Sequence, residues 1–284
     1  MEGYKIHNTL EECKKTWGSI GVAERVELNT RWIRYYQYIA KQCQDGADGE
    51  SGFNPHAEEA VSYLAKGGWL KDVASVIDIG AGTGSYSLSF AKQGCAVTAL
   101  DMDGVSLSVL ERRAEQLGLK SIHCVEDMWE NYRSGKKFSL AFSAMCPAIC
   151  NYDELLKMEA MTACACCLIA VTRGSRDIHR ENLTRLLGAK PRGMTTEALT
   201  YYETLYLMGR QPDVKNWTAH YKYSLPVDEA CRRNEVYFEI FGIPAEQSRP
   251  VLKAYFERKA DNGLVHDESH LNTALICWRP YNPA

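Results

Sequence analysis

Short apolar runs alternate with amphipathic stretches from about residue 55 to residue 172. The runs at about 74–79, 96–100, 121–126, 138–143 and 166–171 are rich in Val, Ile, Leu, Ala and Phe and are bounded by turn residues, which predicts buried strands. Between them, apolar residues spaced three and four apart predict helices at about 84–93, 103–117 and 153–162. Gly94 and Gly118 end the first two. Asn54-Pro55 predicts a further helix start, with asparagine as cap and proline at the first helical position, and that helix stops at Gly67-Gly68. Strands alternating with helices at this interval imply a parallel sheet with right-handed crossovers. Ligands of such sheets lie beyond the carboxyl ends of the strands. The ends carrying Gly80–Gly84, Asp101, Asp127 and Ser143–Pro147 are therefore expected around one cleft.

The flanks are less regular. Ala23 to about Gln42 reads as an amphipathic helix, followed by the loop-like Asp45–Gly52, the best hinge by composition. Beyond 172 the pattern predicts helices at 176–188, 195–209, 228–241 and 245–260, with strands at 216–223 and 272–278. We expect three parts: an N-terminal helical lid over 1–53, a ligand-binding core over 54–175, and cap helices with the last two strands over 176–284. No internal repeat or low-complexity segment is visible.

Composition narrows the function classes. A formal net charge of -3 supplies no global basic field for nucleic acid or anionic lipid. The longest apolar stretch, Ala163 to Val171, is too short to span a bilayer, and the N-terminus lacks the apolar core of a signal peptide. Eleven cysteines without a secretion signal suggest free thiols in a reducing cytoplasm. Cys146 and Cys150 have no companion cluster, so no metal is assigned.

The first strand ends in Asp78-Ile79-Gly80-Ala81-Gly82-Thr83-Gly84, and a helix starts at about Ser85. Glycines let the backbone approach a ligand, and the helix N-terminus behind them offers unpaired N–H groups and partial positive charge. Such a turn can hold a nucleotide, a phosphate or a carboxylate. The spacing is G-x-G-x-G rather than the G-x-G-x-x-G of dinucleotide folds, and no P-loop lysine follows. Asp101 ends the next strand, where a carboxylate can accept both hydroxyls of a ribose.

Taken together, these strand ends resemble the class I S-adenosylmethionine-dependent methyltransferases, well over residues 55–172 and elsewhere by general layout. The resemblance implies an α/β fold, a seven-stranded, mostly parallel, doubly wound sheet with helical cap insertions. It also implies S-adenosyl-L-methionine as cofactor and S-adenosyl-L-homocysteine as product. Asp78 would orient the loop and the cofactor's ammonium group, and Gly80, Ala81, Gly82 and Gly84 would bring backbone against its methionine portion. Asp101 would take the ribose, Met102 would face the adenine, Asp127 its amino group, and Met128 would offer a backbone N–H to the ring. Ser143 completes the cofactor side.

On the acceptor side we expect Met145, Cys146 and Pro147, at the strand end where the family carries its acceptor motif, and Tyr201 is a further candidate from the cap segments. Enzymes that methylate base or glutamine amides usually carry an Asn/Asp-Pro-Pro-aromatic tetrad where this chain has Ser143-Ala144-Met145-Cys146-Pro147. Its absence argues against those substrates. His220 is the candidate base, because alternation along its strand can aim it into the cleft. The expected function is methyl transfer to a small-molecule acceptor, driven mainly by positioning. An RNA or protein methyltransferase and a non-catalytic S-adenosylmethionine-binding protein remain the alternatives, and a homo-oligomer is left open.

Overall fold

The computed structural model describes residues 7–17, 27, 30–38, 56–190 and 196–280. The chain begins with α1 (Leu10–Thr16), a helix α2 over 30–38, and α3 (Ala57–Lys66). The alternating region follows as β1 (Ser75–Ile79), α4 (Ser85–Lys92), β2 (Ala96–Asp101), α5 (Gly104–Gln116), β3 (Ile122–Glu126), β4 (Phe138–Ala144), α6 (Tyr152–Ala160) and β5 (Thr162–Val171). The remainder is β6 (Arg176–Asp177), α7 (Ile178–Leu187), α8 (Ala198–Leu207), β7 (Asp213–Pro226), α9 (Val227–Glu239), α10 (Ala245–Lys259) and β8 (Leu264–Trp278).

Strands β3, β2, β1, β4 and β5 lie side by side in that order, all parallel. The order reverses at β1, whose neighbours are β2 and β4, and this is the switch point where a ligand crevice opens. Strand β8 is antiparallel both to β5 on one edge and to β7 on the other. The short β6 also pairs with β8, which makes eight strands rather than the seven expected.

Period-two alternation assigns each strand's side chains to two layers. Ile77, Ile79, Leu168, Ile276 and Trp278 pack with Leu155 and Met158 of α6 and Leu205 of α8. Val76, Leu140, Phe142, Cys167 and Leu275 pack on the other face with Leu64 of α3 and Phe90 of α4. The cap has its own core, in which Leu183, Phe238, Leu252 and Phe256 from α7, α9 and α10 meet Val265 of β8. The ten cysteines among the described residues are free thiols, and Cys166 and Cys167 are buried in the strand packing. Among the described residues no helix is long and apolar enough to cross a membrane.

Most predicted elements fall within a few residues of those observed. The last two strands are longer than the pattern showed, and they pair from Asp213↔Cys277 to Pro226↔Leu264. Their outer halves carry exposed Lys222, Ser224 and Glu268, so the apolar signal fades where the strands leave the core. Helices α9 and α10 are the connection of this long hairpin. The N-terminal segment also divides. Trp17 of the α1 end sits edge-on to Tyr201 of α8 at 5.2 Å, and the His7 ring meets Glu203 at 2.9 Å with Cys13 beside them. Helix α2 instead joins the cap, where Arg31 donates to the Ile240 carbonyl at 3.3 Å. The helix start expected at Asn54-Pro55 and the Asp45–Gly52 loop lie outside the described residues.

Candidate active site

The glycine turn closes the end of β1. The N–H groups of Gly80 and Ala81 both donate to the Leu100 carbonyl, at 2.8 and 3.0 Å, which ties the turn to β2. Gly80, Gly82 and Gly84 all have positive φ, a region side chains rarely adopt. Their surroundings differ. A Cβ on Gly80 would fall 2.2 Å from Cys146 Sγ, and one on Gly84 2.0 Å from Leu110 Cδ1. A Cβ on Gly82 would meet nothing within 4 Å, so the turn is packed from behind and open at its crest. Leu88 N–H closes the first turn of α4 on the Gly84 carbonyl at 2.8 Å.

Two carboxylates flank the turn. Asp78 is 2% exposed and accepts Ser87 Oγ at 2.6 Å. Burial pushes its carboxyl up to about 7, against the lowering effect of Ser87, and the nearby Asp101 charge adds to the rise. Asp101 accepts Gly82 N–H on Oδ2 at 2.8 Å and Asp103 N–H on Oδ1 at 2.9 Å. Its carboxyl is also raised by burial, and the backbone donors oppose the rise. Asp103 caps α5 by accepting the N–H groups of Val105 and Ser106. Met102 lies between the two acids, partly exposed.

The other strand ends converge on the same edge. Asp127 N–H donates to the Asp101 carbonyl at 3.1 Å, which joins β3 to β2. The Met128 N–H is taken up by the Asp127 carboxylate at 2.8 Å. Ser143 is 1% exposed and its hydroxyl donates to the Ile79 carbonyl at 2.9 Å, so it fastens β4 to β1. Met145 has φ 49 and donates its N–H to Ile169 at 2.7 Å. This left-handed residue turns the chain sharply out of β4. Cys146 then lies against Gly80, accepts Ala148 N–H at 3.5 Å, and has its thiol raised to about 12 by burial. Pro147 follows, partly exposed.

Three sequence expectations need correction. Tyr201 is 2% exposed, and its hydroxyl donates to the Ile149 carbonyl. It braces the 145–150 loop from the core layer rather than facing the cleft, because α8 packs its apolar side on the sheet. His220 is exposed and stands beside His270, with ring centroids 6.0 Å apart. The alternation that was to aim it inward does the reverse. Trp217, Ala219 and Tyr221 point to the α3 side, where they line a small cavity with Met145, Tyr86 and Ile169. The Met128 N–H expected to face the adenine ring is held by Asp127.

Residues the sequence did not single out complete the roof. Gln37 of α2 donates to Asp103 Oδ1 at 2.8 Å, directly over the cleft edge. Tyr35 of α2 accepts from Arg180 of α7, whose guanidinium lies 4.0 Å from the Tyr237 ring and pairs with Asp177 at 3.3 Å. Cap and cleft are thus linked through one helix.

Comparison with known proteins agrees with this geometry. Residues 76–166 match the family model described as a methyltransferase domain. An uncharacterized protein of Haemophilus influenzae is 24% identical over 255 residues, covering 87% of this chain and 88% of that one. The release factor glutamine methyltransferase of Escherichia coli is 30% identical over 110 residues, only 36% of this chain and 38% of the relative. Among solved structures, the magnesium protoporphyrin IX methyltransferase of Synechocystis PCC 6803 with bound S-adenosylhomocysteine superposes with a TM-score of 0.52. It is 11% identical, and the match covers 89% of this chain and 99% of that one.

Proposed function

We propose that this chain, a class I S-adenosylmethionine-dependent methyltransferase, acts on a small-molecule acceptor held between the strand ends and the α2 roof. The observation that carries this reading is the open crest at Gly82, held by Asp101, with Gln37 of α2 bonded to Asp103 at the neighbouring strand end. The fold shared with an enzyme named for magnesium protoporphyrin IX supports it, as does the absence of the amide-methylating tetrad from 143–147. The similarity to the glutamine methyltransferase covers only 36% of this chain, too little to carry over its acceptor.

The residues present suit the cofactor. A turn with three positive-φ glycines brings bare backbone to its edge, and the Gly82 crest leaves room for the methionine portion. Asp101 has one backbone N–H on each oxygen, which leaves a lone pair on each for a ribose hydroxyl. In this reading Asp78 takes the ammonium group, and Met102 and Asp127 take the adenine side. Ser143 holds the floor of the cleft in place. When bound, the cofactor would supply an electrophilic methyl group on a sulfonium, with S-adenosylhomocysteine as the leaving thioether.

The protein's part is then largely positional. Cys146 is a neutral wall, since a thiol raised to about 12 carries no charge near pH 7. Met145 and Pro147 shape the acceptor side, braced through Ile149 by Tyr201. With His220 turned outward, alignment and exclusion of water supply the rate. Calorimetric titration with S-adenosylmethionine and S-adenosylhomocysteine, with NAD as control, tests the cofactor half. Micromolar binding of the first two alone is expected, and binding of NAD alone or of none would sink it. A screen for labelled methyl transfer to small molecules, RNA and protein tests the acceptor half. Transfer confined to macromolecules would overturn it.

A further inference from the structure

Of the polar atoms buried without a hydrogen-bond partner among the described residues, Asp267 Oδ1, Arg233 Nε and Tyr38 Oη belong to one cluster in the cap. They come from three elements, β8, α9 and α2. The Arg233 guanidinium lies 4.4 Å from the centre of the Tyr223 ring. The Tyr223 hydroxyl donates to Asp267 Oδ2, which leaves Oδ1 as the open acceptor of a carboxylate only 9% exposed. The Tyr38 hydroxyl is within electrostatic reach of Arg233. Buried polar groups are almost always paired in native structures, and an unpaired carboxylate oxygen and an unpaired guanidinium N–H that share Tyr223 as neighbour call for an explanation.

The surroundings of the cluster point to a ligand. Arg180, the neighbouring cation, is already committed to Asp177, Tyr35 and Tyr237, so it contributes structure and not recognition. The open groups are two donors, Arg233 Nε and Tyr38 Oη, and one acceptor, Asp267 Oδ1. The aromatic ring of Tyr223 lies against Arg233, and its hydroxyl reaches Asp267. The same α2 that carries Tyr38 carries Gln37, which reaches Asp103 at the cleft edge. A molecule held in the cap is therefore anchored to the helix that also roofs the cleft.

We propose that this cluster is the recognition subsite for the methyl acceptor. It selects a small, flat molecule bearing a carboxylate or carbonyl oxygen beside an amine or hydroxyl donor. The oxygen takes Arg233 and Tyr38, the donor takes Asp267, and the ring system lies against Tyr223. This rests on the small-molecule reading given above and adds the acceptor's chemical class.

The test uses three probes, anthranilate, benzoate and aniline, titrated by calorimetry and ligand-observed NMR into the full chain with and without saturating S-adenosylhomocysteine. Anthranilate carries both groups on one ring, and each of the others carries one. Anthranilate is expected to bind about tenfold tighter than either, the effect of one charge-assisted hydrogen bond. Arg233→Met and Asp267→Asn are each expected to erase that preference and leave S-adenosylhomocysteine affinity unchanged. Tyr38→Phe serves as a third, milder variant should either fail to fold. Equal binding of the three probes, no binding of any, or wild-type discrimination in the variants overturns the subsite. Loss of S-adenosylhomocysteine binding in the wild type overturns the methyltransferase reading instead, and the titrations without it still judge the subsite.

Discussion

Asp101 Oδ2 accepts the backbone N–H of Gly82 at 2.8 Å, across the gap between the end of β2 and the crest of the glycine turn. The other oxygen holds Asp103 N–H, at the start of α5. One carboxylate thus sets the turn and the α5 cap at once, and any ligand that seats on the turn meets it.

Asp101→Ala is expected to weaken S-adenosylhomocysteine binding by about 1–3 kcal/mol, through loss of charge-assisted hydrogen bonds. Melting temperature should fall as well, because Gly82 and Asp103 lose their acceptor. Calorimetry and a thermal melt separate the two effects. Unchanged affinity in a folded variant would remove Asp101 from the ribose role.

The three glycines of the turn should respond differently to alanine. All three pay the left-handed cost of about 1–2 kcal/mol. At Gly82 that cost is the whole effect on stability, because the new methyl meets open space, and cofactor affinity should fall well beyond it. At Gly80 the methyl collides with Cys146 Sγ and Cβ, so stability itself should fall further, with partial recovery in Gly80→Ala/Cys146→Gly. At Gly84 the methyl collides with Leu110 Cδ1 and Cγ, in a side chain that is fully buried, so stability should fall beyond the left-handed cost there too. Denaturant melts of the set check this order.

The Asp78 carboxyl gives a pH dependence of known sign. Its ordinary value is 3.8 and its folded value is raised to about 7. Between these values the folded protein holds a proton that the unfolded chain has released, so stability falls as pH rises across this window. The slope from one such group is at most about 1.4 kcal/mol per pH unit. Asp78→Asn should flatten it. With an ammonium group beside Asp78 in the complex, cofactor binding at pH 6 should release a proton, visible as a buffer-dependent binding enthalpy. Identical enthalpies in buffers of different ionisation heat would remove that contact.

Tyr201→Phe deletes the hydroxyl that braces Ile149 and leaves the ring against Trp17. A stability loss of about 1 kcal/mol is expected, within the usual range for a buried hydrogen bond. The 145–150 loop should loosen, raising KM for the acceptor while S-adenosylhomocysteine affinity holds. A change in cofactor affinity alone would contradict this bracing role.

His220→Ala is expected to leave methyl transfer and its pH profile unaltered, since the ring is exposed and faces away from Trp217, Ala219 and Tyr221. Loss of activity with retained cofactor binding would restore it as a base.

Much of the core was legible in the sequence because local physics writes it there. Buried parallel strands need unbroken apolar runs, and the helices between them need a three-to-four spacing, so β1 to β5 and α4 to α6 appear in order. A turn that brings backbone to a ligand needs glycine, and Gly80, Gly82 and Gly84 all have positive φ in the structure.

Side-chain direction and long-range partners were decided only by tertiary structure. Tyr201 and His220 were read from the chemistry they can do, yet one is spent on Ile149 and the other faces outward, because helix packing and strand register fix where each side chain goes. The outer halves of β7 and β8 carry too little apolar signal to be read as strands, and it is their register that brings Tyr223 against Asp267. Nothing local marks Gln37 for Asp103, 66 positions away, or Tyr35 for Arg180, 145 away. Such contacts exist only once the chain has closed on itself, and they are the ones that roof the cleft.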